Sequence, residues 1–144
     1  MKSGIKLVYS DYNEETGISI VRIQTPYGVF KGKARLNPKD ANIASHYEGC
    51  KYAEMRAYIK YFKFMIKIKR TAYDELQKLY NQLKYSTPAV AQNDIVLNLI
   101  NDYMTDLNNT IQSYKKAITK YTNNITKSIN ERETILNRIK KGQK

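Results

Sequence analysis

His46 and Cys50, four residues apart, would meet on one face of a helix as a thiol–imidazole pair, the arrangement that activates a sulfur nucleophile. They are the chain's single histidine and single cysteine. Cys50 also opens an apolar seam, so a small buried thiol explains it without catalysis. With one His and one Cys, no zinc site of ordinary spacing can form. The carboxylates offer little more. Glu14 and Glu15 fall in turn-forming sequence, and Asp102 and Asp106 read as a solvated helix face. Neither a G-x-x-x-x-G-K-[ST] phosphate loop nor a G-x-G-x-x-G turn occurs. We therefore expect a non-enzyme, with no catalytic residues, no cofactor and no metal.

The cations carry more pattern. Arg56, Lys60, Lys63, Lys67 and Arg70 recur at steps of four, three, four and three, which lines them along one side of a helix. Tyr58, Tyr61, Phe62, Phe64, Met65, Ile66 and Ile68 lie between them. Such a row is a solvated lysine-rich face whose stems cover apolar surface, a phosphate-binding surface, or a helix lying on a membrane. Arg56 and Arg70 matter most to the phosphate reading, because guanidinium binds phosphate bidentately where lysine acts as a point charge. A second row, Lys31, Lys33 and Arg35, alternates along a strand, either protecting a sheet edge or adding to an anion site. The expected site is a pocket where these strand cations, Arg56 and Lys60 converge near the amino end of the following helix, whose free N–H groups favour anions.

These rows need elements to carry them. Residues 5–9 alternate, residues 11–17 have turn chemistry, residues 18–24 are β-branched, and Thr25-Pro-Tyr-Gly28 fits a type I turn. Residues 29–36 complete a three-stranded antiparallel sheet over 1–36, with Phe30, Gly32, Ala34 and Leu36 on the packing face opposite the cations. Asn37 to Asp40 break the strand, and Ser45 with Glu48 makes a capping box for a helix over 45–85. Its expected seam is Cys50, Ala53, Ala57, Tyr61, Phe64, Ile68, Ala72, Leu76, Leu79 and Leu83. Thr87 and Pro88 begin a second helix over 88–141, whose stripe runs Val96, Ile100, Tyr103, Leu107, Ile111, Tyr114, Ile118, Tyr121, Ile125, Ile129, Leu136 and Ile139, interrupted by Arg132. The fold class is α+β: one domain, a small sheet followed by an antiparallel helical hairpin.

Composition bounds the function. At 144 residues and a formal charge of +12, the chain points to an anionic partner such as a nucleotide or nucleic acid. The excess is spread along it: +3 over 1–40 (seven bases, four acids), +5 over 41–86 (nine, four) and +4 over 87–144 (nine, five). A single cysteine excludes an internal disulfide and suits a reducing compartment. No apolar run is long enough to span a bilayer, and the first residues lack a signal-like apolar block. The expected location is the cytoplasm, with no membrane partner. A helix of roughly 40 residues is about 60 Å long, so the sheet covers only one end of the hairpin. Tyr58, Phe62, Met65, Ile66 and Tyr73 then lie outside the first seam, and a second protomer is expected to cover them.

The stretch Gly28-Val-Phe30-Lys-Gly32-Lys-Ala34, then Pro38-Lys-Asp40, then Gly49-Cys50 and Ala53-Glu-Met-Arg56-Ala57 resembles a pattern in small phage and prophage proteins of Gram-positive bacteria. Among those it looks most like the phage anti-Thoeris sponge proteins, over roughly residues 18–60. The resemblance implies a small sheet with two long helices, assembly as an oligomer, and sequestration of cyclic ADP-ribose isomers or cyclic oligonucleotides. It carries over Arg56 and Arg35 as phosphate ligands and places no base contacts; a tyrosine or the loop between the helices, residues 85–93, is expected to hold the base, with Tyr85, Gln92 and Asn93 as candidates. The leading expectation is a non-enzymatic counter-defence protein in the host cytoplasm that holds a cyclic nucleotide signal at a protomer interface. Its phosphate ligands would be Arg35, Lys33, Arg56, Lys31 and Lys60. The alternatives are a protein-binding inhibitor of a CRISPR or other defence nuclease, and a basic coiled coil that binds nucleic acid.

Overall fold

The computed structural model describes residues 4–35, 46–86 and 91–142. It is α+β: strands β1 (Lys6–Asn13), β2 (Ile18–Thr25) and β3 (Gly28–Arg35) form an antiparallel sheet, followed by helices α1 (His46–Ser86) and α2 (Ala91–Gly142) packed as a hairpin. Leu36, the expected break from Asn37 to Asp40, the Ser45 cap, Thr87 and Pro88 lie outside the described residues. So do the side chains of His46, Glu48, Gln92, Asn93, Arg132, Leu136 and Ile139.

Each turn of the sheet has a local cause. In the first, Asn13 Oδ1 accepts hydrogen bonds from the amides of Glu15 and Thr16 at 2.9 and 3.3 Å, and the Gly17 amide donates to the Asn13 carbonyl. In the second, Pro26 and Tyr27 alone separate the strands. The Thr25 hydroxyl donates to the Gly28 carbonyl at 2.8 Å and accepts from the Tyr27 amide. Gly28 has φ +122°, a conformation that a side chain would strain. A two-residue loop sets the register, so the pairs from Thr25–Gly28 down to Ile18–Arg35 follow from it.

Burial alternates along β2. Ser19, Val21, Ile23 and Thr25 are buried, and on β3 Gly32 and Ala34 share that face. Small residues let α1 approach it closely. Gly49, Ala53, Ala57 and Tyr61, one turn apart, are all buried. A Cβ added at Gly32 would run into the Ala53 carbonyl and stand 2.5 Å from the Ala57 nitrogen. One turn on, Tyr61 meets Phe30 edge-to-face with ring centroids 5.4 Å apart.

The chain divides into two compact units: residues up to Tyr61 together with those from Ile118 onward, and Phe62–Ala117. In the first, α2 returns beside α1, and Tyr58 stacks on Tyr121 at 5.9 Å. In the second, Phe62 packs on Tyr114 at 5.5 Å. There Met65 on α1 and Ile100, Met104, Leu107 and Ile111 on α2 are the other buried apolar side chains. No helix among the described residues is long and apolar enough to cross a membrane.

Two seam assignments change. Phe64 and Leu79, expected inside, are exposed, whereas Phe62 and Met65, expected outside, are buried. The expected seam extended the flank of α1 that meets the sheet, through Ala53, Ala57 and Tyr61; α2 packs on the neighbouring flank, through Tyr58, Phe62 and Met65. On α2 the same one-position shift exposes Tyr103 and buries Met104. Val96 and Ile129 of the expected stripe are exposed as well. The surface assigned to a second protomer is thus largely covered within the chain: Tyr58, Ile66 and Tyr73 are half-buried.

Candidate anion-binding face of the sheet

The strand period carries Lys31, Lys33 and Arg35 to the face opposite α1, and all three are exposed. Successive side chains on that face stand about 7 Å apart along a strand and about 5 Å apart across strands. Pairing supplies their neighbours. Lys31 stands opposite Arg22, Lys33 opposite Ile20, and Arg35 opposite Ile18. One strand further, Tyr9 pairs with Arg22, Asp11 with Ile20, and Asn13 with Ile18. The Arg22 guanidinium lies 4.9 Å from the centre of the Tyr9 ring, a cation–π contact across strands.

The face is therefore a band of four cations beside a half-buried isoleucine strip, with an exposed tyrosine at its far side. Asp11 is its one acid, two strands away from Lys33. Among the described residues the ion pair is Lys78 with Glu75, and none engages Lys31, Lys33 or Arg35. Arg22, Lys31, Lys33 and Arg35, without ion pairs among the described residues, stand close enough to repel one another, and an anion on the face would relieve that.

Arg56 does something different from what its type suggests. Its Nη1 donates to the Lys33 carbonyl at 2.8 Å. Pairs in an antiparallel ladder alternate between hydrogen-bonded and open. Counting from the Thr25–Gly28 pair, Lys33 falls on an open pair, so its carbonyl points away from β2. Arg56 caps the free edge of β3 there. The expected convergence of strand and helix cations does not occur, because Gly32 and Ala34 face α1 and alternation sends Lys31, Lys33 and Arg35 to the other side. Lys60 is exposed on α1, away from their face, and Lys63, Lys67 and Arg70 are exposed on the same helix.

The residues assigned to an interhelical loop have helical backbone. Tyr85 is in α1 and 79% exposed, with the Lys84 ammonium 5.7 Å from its ring centre. Gln92 and Asn93 are in the first turn of α2. Cys50 is a half-buried thiol that forms no disulfide. Among the described residues no three of His, Cys, Asp and Glu are grouped so as to hold a metal. A shallow groove along α2, lined by Asn123, Thr126, Lys127, Asn130, Glu131 and Thr134, holds one base and one acid. The Thr134 hydroxyl is spent on the Asn130 carbonyl at 3.0 Å. It offers an anion little.

Sequence reasoning missed Arg22 and Tyr9. The signal for Arg22 was present: a two-residue loop at Pro26-Tyr27 sets residue 22 across from residue 31. Tyr9 was harder to place, because the register slips between Leu7 and Tyr9 at a bulge in β1. Comparison with protein-family models, curated proteins and solved structures found no match.

Proposed function

We propose that this chain is a non-catalytic binding protein that holds an anionic nucleotide on the outer face of its sheet. The observation that carries the reading is the band of Arg22, Lys31, Lys33 and Arg35, exposed on one face and without ion pairs among the described residues. Edge protection does not account for it: Arg22 is on the central strand, and the β3 edge is capped at Lys33 by Arg56. In this reading Lys31, Lys33 and Arg35 neutralise phosphates, and the Tyr9–Arg22 pair offers a flat surface on which a base stacks. Arg56 is a positioning residue that holds the strand bearing the cations. An open face releases small ligands quickly, so tight sequestration requires closure by a second protomer. The resemblance to phage sponge proteins supplies the setting, removal of a cyclic nucleotide immune signal.

The test is calorimetry with a panel of cyclic ADP-ribose isomers and cyclic oligonucleotides, followed by heat denaturation and recovery of the ligand. Binding that returns intact ligand, and that is lost in Lys33→Glu and Arg35→Glu, is expected. Failure of every ligand in the panel sinks the reading. A second reading rests on the openness of the same face, which also fits an extended single strand of nucleic acid. Affinity for oligonucleotides that falls steeply with salt would favour it.

A further inference from the structure

The geometry points to a docking site for a basic amphipathic helix of another protein, on one flank of the helix pair in the Phe62–Ala117 unit. On α2, Ile95, Leu99 and Tyr103 recur every four residues and are 63, 63 and 62% exposed. On α1 of the same unit Leu79 is 42% exposed.

The buried seam decides where these side chains lie. Leu99 precedes the buried Ile100 and Tyr103 the buried Met104, so each stands about 100° back around α2 from a seam residue. On α1, Leu79 precedes the half-buried Tyr80 in the same way. The helices run antiparallel, and the same backward turn therefore carries both sets to one side of the pair. Their level follows from Phe62 against Tyr114. Seventeen residues on from Phe62 stands Leu79, and seventeen back from Tyr114 stands Leu97, between Ile95 and Leu99. Leu79 thus joins the α2 stripe in one apolar surface. The pair has a single seam and cannot cover this flank itself.

Charge selects the occupant. From Ala91 to Tyr114, α2 has no lysine or arginine, in a chain of net charge +12. Asp106 precedes the buried Leu107, which sets it on the same flank, and Asp102 sits three residues on from Leu99. Across the pair Glu75, one turn before Leu79, is level with Asn101 and so beside Asp102. These three acids meet one base, Lys78, 3.7 Å from Glu75 with both side chains largely exposed. Such a flank repels nucleic acid and anionic lipid. A second copy presenting the same flank would set acid against acid. The complementary surface is apolar along its middle, with lysine or arginine on its margins. Side chains at helical spacing on both helices accept the ridges of a third. Eleven residues separate Ile95 from Asp106, about 16 Å, so a helix of about three turns fills the site.

The experiment is fluorescence anisotropy of the full chain with a labelled leucine–lysine peptide of helical period, and with its leucine–glutamate counterpart. The lysine peptide binds, one per chain, and the glutamate peptide does not. Leu99→Lys with Tyr103→Lys weakens that binding roughly tenfold or more, with helicity by circular dichroism unchanged. Asp102→Lys with Asp106→Lys weakens it as well and gains the glutamate peptide, a reversal that a misfolded chain could not give. The inference is overturned if the lysine peptide fails to bind, or if both variants bind it as wild type does. It is overturned too if wild type self-associates in sedimentation equilibrium and Leu99→Lys with Tyr103→Lys abolishes that, which assigns the flank to a second copy. Flotation with phosphatidylcholine vesicles that the lysine peptide does not prevent would assign it to a lipid surface instead.

Discussion

In the sheet-bearing unit Val21, Ile23, Ala53 and Ala57 are at most 1% exposed, whereas in the Phe62–Ala117 unit the driest side chains, Met65 and Ile111, keep 4%. Both units contain parts of α1 and α2. The difference is a third layer. Beside the sheet, α1 is covered on two flanks, by strands and by α2, and small residues bring backbone against backbone. Along Phe62–Ala117 each helix has one covered flank, so every seam residue keeps an edge toward solvent. Hydrophobic burial scales with area removed from water. The same kind of helix is therefore held more firmly in one unit than in the other, and surface left over in the second is available for association.

The sharpest way to break the contrast is Gly32→Ala. An added methyl meets backbone atoms of Ala53 and Ala57, which cannot move without displacing the helix, so we expect a loss of about 3 kcal/mol or more, read by urea denaturation. Next, Ile23→Ala should cost about 3 to 4 kcal/mol and Met104→Ala about 2, because the second site already borders solvent and can relax. Equal losses would remove the distinction between the units. Arg56→Ala should cost about 1 kcal/mol or less, because the bond is exposed and water can replace it at the Lys33 carbonyl. It should weaken nucleotide binding less than Arg35→Ala does, which separates positioning from direct contact in the same assay.

The smallest effect concerns alkaline pH. Burial, then the Glu54 carboxylate, then Tyr121 raise the Tyr58 phenol above its ordinary value of 10.0. Folding thus favours the neutral phenol. Its contribution is complete below about pH 10 and is lost as pH rises through the higher folded value. Tyr58→Phe should flatten the alkaline fall in stability, measured by denaturation across that range.

Much of the fold was legible because its signals are local. Alternation in residues 29–35 separated the cations from Gly32 and Ala34, and Pro26 and Gly28 marked the hairpin. Which flank of α1 meets α2 was not legible. Tyr61–Phe64–Ile68 and Tyr58–Phe62–Met65 are equally apolar at equal spacing, and only the third dimension ranks them. The candidate site was half legible for the same reason. Lys31, Lys33 and Arg35 follow from strand period alone, whereas Arg22 needs register and Tyr9 needs a bulge. Arg56 was chosen for its charge, and its partner is a backbone carbonyl 23 positions earlier that no side-chain pattern announces.

That bond has a consequence for solubility. The unpaired carbonyls and amides of an edge strand are a template on which another strand can add. Arg56 occupies the template at Lys33, and the bulge after Leu7 twists the opposite edge, β1, out of regular register. Neither edge is left as a straight, vacant ladder. Protein lacking the Arg56 guanidinium would betray itself first in storage, as slow growth of β-rich aggregates in concentrated stocks.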